Sequence, residues 1–103
     1  MTQWIEACAT NAIKHENLIR FVHDGRTFAL YRGPDDEYFC TDNLCTREAV
    51  YLEHGLVMDY AIECPKHGGE FDYRTGEALR APACADLNTY PTMVAGGRVF
   101  IGI

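Results

Sequence analysis

Cys45-Thr46-Arg47 and Cys64-Pro65-Lys66-His67-Gly68-Gly69 are the two stretches that decide how this sequence is read. Their cysteines stand nineteen residues apart, and with histidine in place of Arg47 the pair would read C-x-H, sixteen residues, C-x-x-H. That spacing suits a two-iron cluster held by two thiolates on one iron and two imidazoles on the other. Cys45, Cys64 and His67 supply three of the four donors, and Arg47 occupies the place of the fourth. A guanidinium is cationic at any ordinary pH and offers donors but no lone pair, so it is a poor iron ligand.

The second stretch carries the more specific signal. Cys64 and His67 are three residues apart, close enough to reach one metal atom or two irons of one cluster. Pro65 stiffens the turn, and Gly68-Gly69 lets backbone amides come close. Amides aimed at sulfur stabilise the charge added on reduction. A glycine-rich turn that happens to hold Cys and His is the plain alternative, and Cys45 at matching distance argues against it.

A mononuclear zinc site is a rival metal reading, because Cys40, Cys45, Cys64 and His67 form a Cys₃His set with C-x₄-C and C-x₂-H spacing. Thiolate and imidazole donors suit both metals, so ligand type does not decide. Cys40 sits in an expected strand, Tyr38 to Thr41, where alternation sets its direction. Cys8 and Cys84 have no partner at ligand spacing and read as small buried or half-buried thiols. His54 precedes Gly55 and reads as an exposed turn residue. His15 and His23 are far in sequence from both loops and read as surface histidines.

At 103 residues with 48% hydrophobic content the chain is expected to form one domain over residues 1–103, small enough to gain from a metal staple. A net charge of -6 disfavours nucleic acid and suits docking on a basic protein face. An odd number of cysteines argues against a disulfide framework and for metal or redox chemistry. No apolar run spans a bilayer, and the start, Met1 to Glu6, lacks the basic lead and apolar stretch of a signal peptide, so a cytoplasmic location is expected.

Short β-rich runs between turn residues point to an all-β fold. Leu18 to Val22 and Thr27 to Tyr31 flank the hairpin turn Asp24-Gly25. Tyr38 to Thr41, Tyr60 to Glu63 and Glu70 to Tyr73 follow as strands, with a turn at Thr75-Gly76. Tyr90 to Val94, the Ala95-Gly96-Gly97 turn and Arg98 to Ile103 read as a closing hairpin, with Val99, Ile101 and Ile103 on its inner face. Helical signal is confined to a turn or two around Glu48 to Glu53 and a weaker stretch from Asn11 to Asn17. Asp35, Asp36 and Glu37 form a solvated charge run rather than an acid–base pair. No nucleophile elbow, P-loop or dinucleotide fingerprint is present, so the chain is not expected to be an enzyme in its own right.

From Tyr38 to Ile103, through Cys45-Thr46, Leu52-Glu53-His54-Gly55, Ile62 to Gly69, Phe71-Asp72, Thr75-Gly76 and Ala81-Pro82, the sequence resembles a Rieske-type [2Fe-2S] ferredoxin. Trp4-Ile5-Glu6-Ala7 and Phe28-Ala29-Leu30-Tyr31 extend the likeness to the N-terminal half. It is nearest to the soluble ferredoxin components of bacterial ring-hydroxylating dioxygenase systems, including the rhizopine-catabolism group. The resemblance implies a β-sandwich with a small cluster-binding subdomain at one tip, its loops within about residues 43–75. It implies single-electron transport from a flavin-dependent ferredoxin reductase to a terminal oxygenase. By that likeness Cys45 and Cys64 hold the inner iron and His67 the outer, while Val50 and Lys66 stand where respiratory relatives carry a disulfide. The lower-potential ferredoxin branch follows, within the Rieske range of roughly -150 to +300 mV.

Arg47 stands at the first histidine ligand of that family. Four outcomes stay open on sequence: a labile cluster with an incomplete outer iron, coordination by Arg47 itself, an empty or partly loaded site on a binding or scaffold module, and zinc or a substitute ligand such as His54.

Overall fold

A computed structural model describes residues 2–46, 50–66, 68–81 and 85–103. Arg47, His67, Cys84, Pro82 and the start of the expected Glu48 to Glu53 turn lie outside these residues.

The unbroken apolar run Phe28-Ala29-Leu30-Tyr31 is the centre of the architecture. It lies in β3 (Arg26–Arg32), which pairs antiparallel with β2 (Asn17–His23) and β4 (Tyr38–Asp42). All four residues are fully buried, as a strand covered on both faces requires. Alternation divides them between two cores. Phe28 and Leu30 join Ile13, Cys40, Val99 and Ile101 in one; Ala29 and Tyr31 join Leu52, Ile62, Phe71, Tyr73, Cys45 and Cys64 in the other.

The first core lies between this sheet and a second one, made of β1 (Trp4–Ala9), β11 (Arg98–Gly102) and β10 (Thr92–Ala95) in the order β1-β11-β10. The second core is roofed by a small meander, β5 (Leu56–Met58), β6 (Ala61–Glu63), β7 (Glu70–Asp72) and β8 (Ala78–Arg80), hydrogen-bonded in sequence order. The fold is a β-sandwich carrying an additional small sheet on one side. Tyr31 joins the two parts: its ring stacks on Tyr73 at 4.4 Å, 5° from parallel, and its hydroxyl meets Thr41 Oγ1 at 2.9 Å.

The Asp24-Gly25 turn forms as expected, with φ of 50° and 75° at its two central residues, the pairing that matches strand twist. The closing hairpin differs from its sequence reading. Tyr90 belongs with Thr89 to β9 (Thr89–Tyr90), the edge strand beside β4, and only Thr92 onward enters β10. Pro91 divides the two: it lacks an N–H for either ladder, while its carbonyl accepts from the Gly102 amide at 2.8 Å. The helical signals resolve to single 3₁₀ turns among the described residues, Thr10–Ala12 and Leu52–His54. No helix among them is long and apolar enough to cross a membrane.

Candidate metal centre

Cys45 lies on the connection that leaves β4, and Cys64 opens the connection between β6 and β7. Each arrives at the shared core by a different device. On the first loop Asn43, wholly buried, acts as a brace. Its backbone carbonyl accepts from the Leu52 amide at 2.6 Å, its side-chain carbonyl accepts from the Glu53 amide at 3.0 Å, and its amide donates to Glu53 Oε1 at 3.0 Å. Every polar group of a buried asparagine needs such partners. The brace folds the loop back on itself, so that the Cys45 amide donates to the Val50 carbonyl at 3.0 Å and Leu44 bridges Tyr51. Beyond the cysteine, the Thr46 hydroxyl donates to the Ala85 carbonyl at 2.8 Å.

The second loop is a hairpin connection between paired strands, with Ile62 opposite Phe71 and Glu63 opposite Glu70. The Cys64 amide closes it by donating to the Gly69 carbonyl at 2.7 Å. Gly68 sits at φ 71°, a conformation that costs glycine little. The two loops touch through backbone: Gly55, at the end of the first, packs directly against the Glu63 carbonyl.

Cys45 and Cys64 are 6% and 2% exposed and belong to one apolar cluster with Leu52, Ile62, Phe71 and Tyr73. The four described cysteines, Cys8, Cys40, Cys45 and Cys64, form no disulfide. Cys40 is placed elsewhere, in the opposite core against Phe28, Val99 and Ile101. The strand alternation that carries Tyr31 to one side of the sheet carries Cys40 to the other, so the Cys₃His zinc set loses its first member. Among the described residues no group of three metal-binding side chains assembles, and His67 is outside them. Burial, with the nearby Asp42 carboxylate adding to it, pushes the Cys40 thiol up to about 12. A raised pKa keeps the thiol protonated below that value, and the thiolate is the reactive form. Cys40 is therefore expected to resist iodoacetamide at pH 8 in the folded chain and to be alkylated only on unfolding, as mass spectrometry of the labelled peptides would read.

Of the histidines read as surface residues, His54 is exposed at the end of its 3₁₀ turn and His15 is exposed and meets Asp36 at 3.2 Å, whereas His23 is half-buried beside Asp24. Two contributors to the site escaped sequence reading. Asn43 looks like any polar turn residue, and Arg80, which reaches the second loop from β8, carries no motif.

Two thiols, screened from water on two loops that meet in one core, fit the cysteine-held half of an iron–sulfur group. The chain belongs to the Rieske [2Fe-2S] domain family, which matches residues 3–91. It is 39% identical over 101 residues to the ferredoxin component of the naphthalene 1,2-dioxygenase system of Pseudomonas aeruginosa, covering 98% of this chain and 96% of that one. Its structure superposes on the Sphingomonas yanoikuyae B1 ferredoxin with a TM-score of 0.91 and 33% identity, over 98% and 99% of the two chains. A ferredoxin solved as a complex of reduced oxygenase and oxidized ferredoxin in carbazole 1,9a-dioxygenase matches with a TM-score of 0.90 and 29% identity, over 95% of this chain and 91% of that one.

Proposed function

We propose that this chain is the electron-carrying ferredoxin of a multicomponent oxygenase system, a single domain over residues 1–103 that works in the cytoplasm. It would take single electrons from a flavin-dependent reductase and deliver them to a terminal oxygenase. The observation that carries the reading is the meeting of Cys45 and Cys64, buried, in one core of a chain whose family is defined by a [2Fe-2S] group. The complex of a similar ferredoxin with its oxygenase supports the partner class.

When bound, the cluster supplies a one-electron couple. Cys45 and Cys64 would hold its inner iron and His67 its outer, solvent-facing iron, with Arg47 at the fourth position. The chain's own part is to keep the two thiolates in an apolar core and to offer a route outward through His67. No substrate is turned over.

Arg47 favours one second reading: a Rieske fold whose cluster is labile, incomplete, absent or replaced by zinc, acting as a binding or scaffold module. A metal and sulfide assay on protein purified without oxygen, read beside the EPR spectrum of the reduced state, separates the two. About two irons and two sulfides per chain with a Rieske-type signal are expected. One zinc, or no metal, would sink the electron-carrier reading. In protein with equal cluster content, His67→Ala is expected to abolish electron transfer to the oxygenase, and undiminished transfer would overturn the route through His67.

A further inference from the structure

Glu63 and Glu70 bracket the second ligand loop, one immediately before Cys64 and the other immediately after Gly69, and they face each other across β6 and β7. Like charges directly opposite on neighbouring strands repel, here at the mouth of the loop. Arg80, opposite Glu70 on β8, bridges both carboxylates and offsets one of their two charges: its Nη2 lies 2.9 Å from Glu63 Oε2 and 2.6 Å from Glu70 Oε2. The same guanidinium donates to the Gly68 carbonyl from Nη2 at 3.0 Å and from Nε at 3.2 Å. Gly68 follows His67 in the chain. One side chain thus holds the residue before Cys64, the residue after the glycine pair and the residue after His67.

We propose that Arg80 is the positioning residue of the second ligand loop, fixing the backbone around Cys64 and Gly68-Gly69 and offsetting part of the carboxylate charge beside the site. The part of this that concerns the cluster rests on the ligand assignment proposed above.

An ordinary surface ion pair is the competing account, and magnitudes separate the two. Arg80 is 56% exposed, and exposed pairs add little to global stability. Its weight falls on local geometry: three contacts from Nη2 and one from Nε converge on one loop, and lysine, a point charge on a flexible stem, does not reproduce the planar Nε and Nη2 pair that meets the Gly68 carbonyl. A fixed cation also favours the more negative, reduced state of a redox group nearby.

The test compares the full chain, as purified, with Arg80→Gln and Arg80→Lys by amide hydrogen exchange, iron content and midpoint potential. In Arg80→Gln, exchange at the Cys64, Gly68 and Gly69 amides is expected to quicken by roughly tenfold or more, with β3 and β11 unchanged, as local opening does. The one-electron equilibrium should shift about tenfold toward the oxidised form, a fall of about 59 mV. Arg80→Lys, which keeps the charge and is the variant most certain to fold, should recover the potential while loop exchange stays fast. Unchanged loop exchange in both variants would overturn the proposal. A chain without iron would defeat the ligand assignment alone, since the exchange of the loop amides is read without the cluster.

Discussion

Arg47→His is expected to slow the loss of iron from this chain in air markedly. Wild-type protein exposed to air should lose iron and sulfide, whereas the variant should retain about two of each. The argument begins with donors: guanidinium has no lone pair to give, and imidazole has one. Its second step is the surroundings. The position is flanked by fixed backbone, with Cys45 donating to Val50, Leu44 bridging Tyr51, and Thr46 tied to Ala85. The described residues on both sides of position 47 are therefore already held in place. Groups that merely orient a metal ligand change affinity by about 10–100-fold, so restoring a ligand itself should slow cluster loss by at least that factor. Visible absorbance followed in air reads the rate, and reduced-state EPR reads the ligand set. A variant that still purifies colourless under anaerobic, iron-replete conditions would show that the loops lack more than one donor.

The parts of this molecule that could be read from sequence are those specified by neighbours along the chain. Thr27 to Tyr31 announces a strand, and its Phe28 to Tyr31 run became the wall between two cores. Asp24-Gly25 and Gly96-Gly97 announce turns by needing positive φ, and both have it. Cys45 and Cys64, read together from residue type and spacing, meet in one buried core. Other features depend on partners distant in sequence. Cys40 has acceptable zinc spacing on paper, and only strand alternation combined with sheet pairing sends it into the opposite core. Pro91 divides what looked like one strand because the two halves serve different sheets. Asn43 and Arg80 carry no local signature, since their roles are defined by Glu53, ten residues on, and by Glu63 and Gly68, seventeen and twelve residues back.

Gly55→Ala is expected to damage the fold severely, and the reason is crowding rather than backbone conformation. Gly55 has φ -87° and ψ -173°, extended values that alanine adopts freely. A methyl group there, however, would lie 2.1 Å from the Glu63 carbonyl oxygen and 3.1 Å from that of Leu52. Both obstacles are backbone. Glu63 is pinned between Leu56 on β5 and Glu70 on β7, so it has no free direction in which to retreat. Its carbonyl also belongs to the peptide unit that ends at the Cys64 nitrogen, and any displacement moves the ligand loop together with the Cys64–Gly69 hydrogen bond that closes it. Overpacking of this kind costs about 3 kcal/mol or more where nothing yields. For a domain of this size that corresponds to a fall in Tm of roughly 12 °C or more. Gly25→Ala supplies the contrast, because Gly25 has φ 75° but nothing within 4 Å of an added methyl. It should lose only the left-handed backbone penalty, about 1–2 kcal/mol. Thermal melts of the two variants, with iron content measured beside them, decide the matter. Gly55→Ala should lose both stability and cluster, and Gly25→Ala should keep its cluster. Equal losses in the two would mean that the contact between Gly55 and Glu63 does not join the two ligand loops.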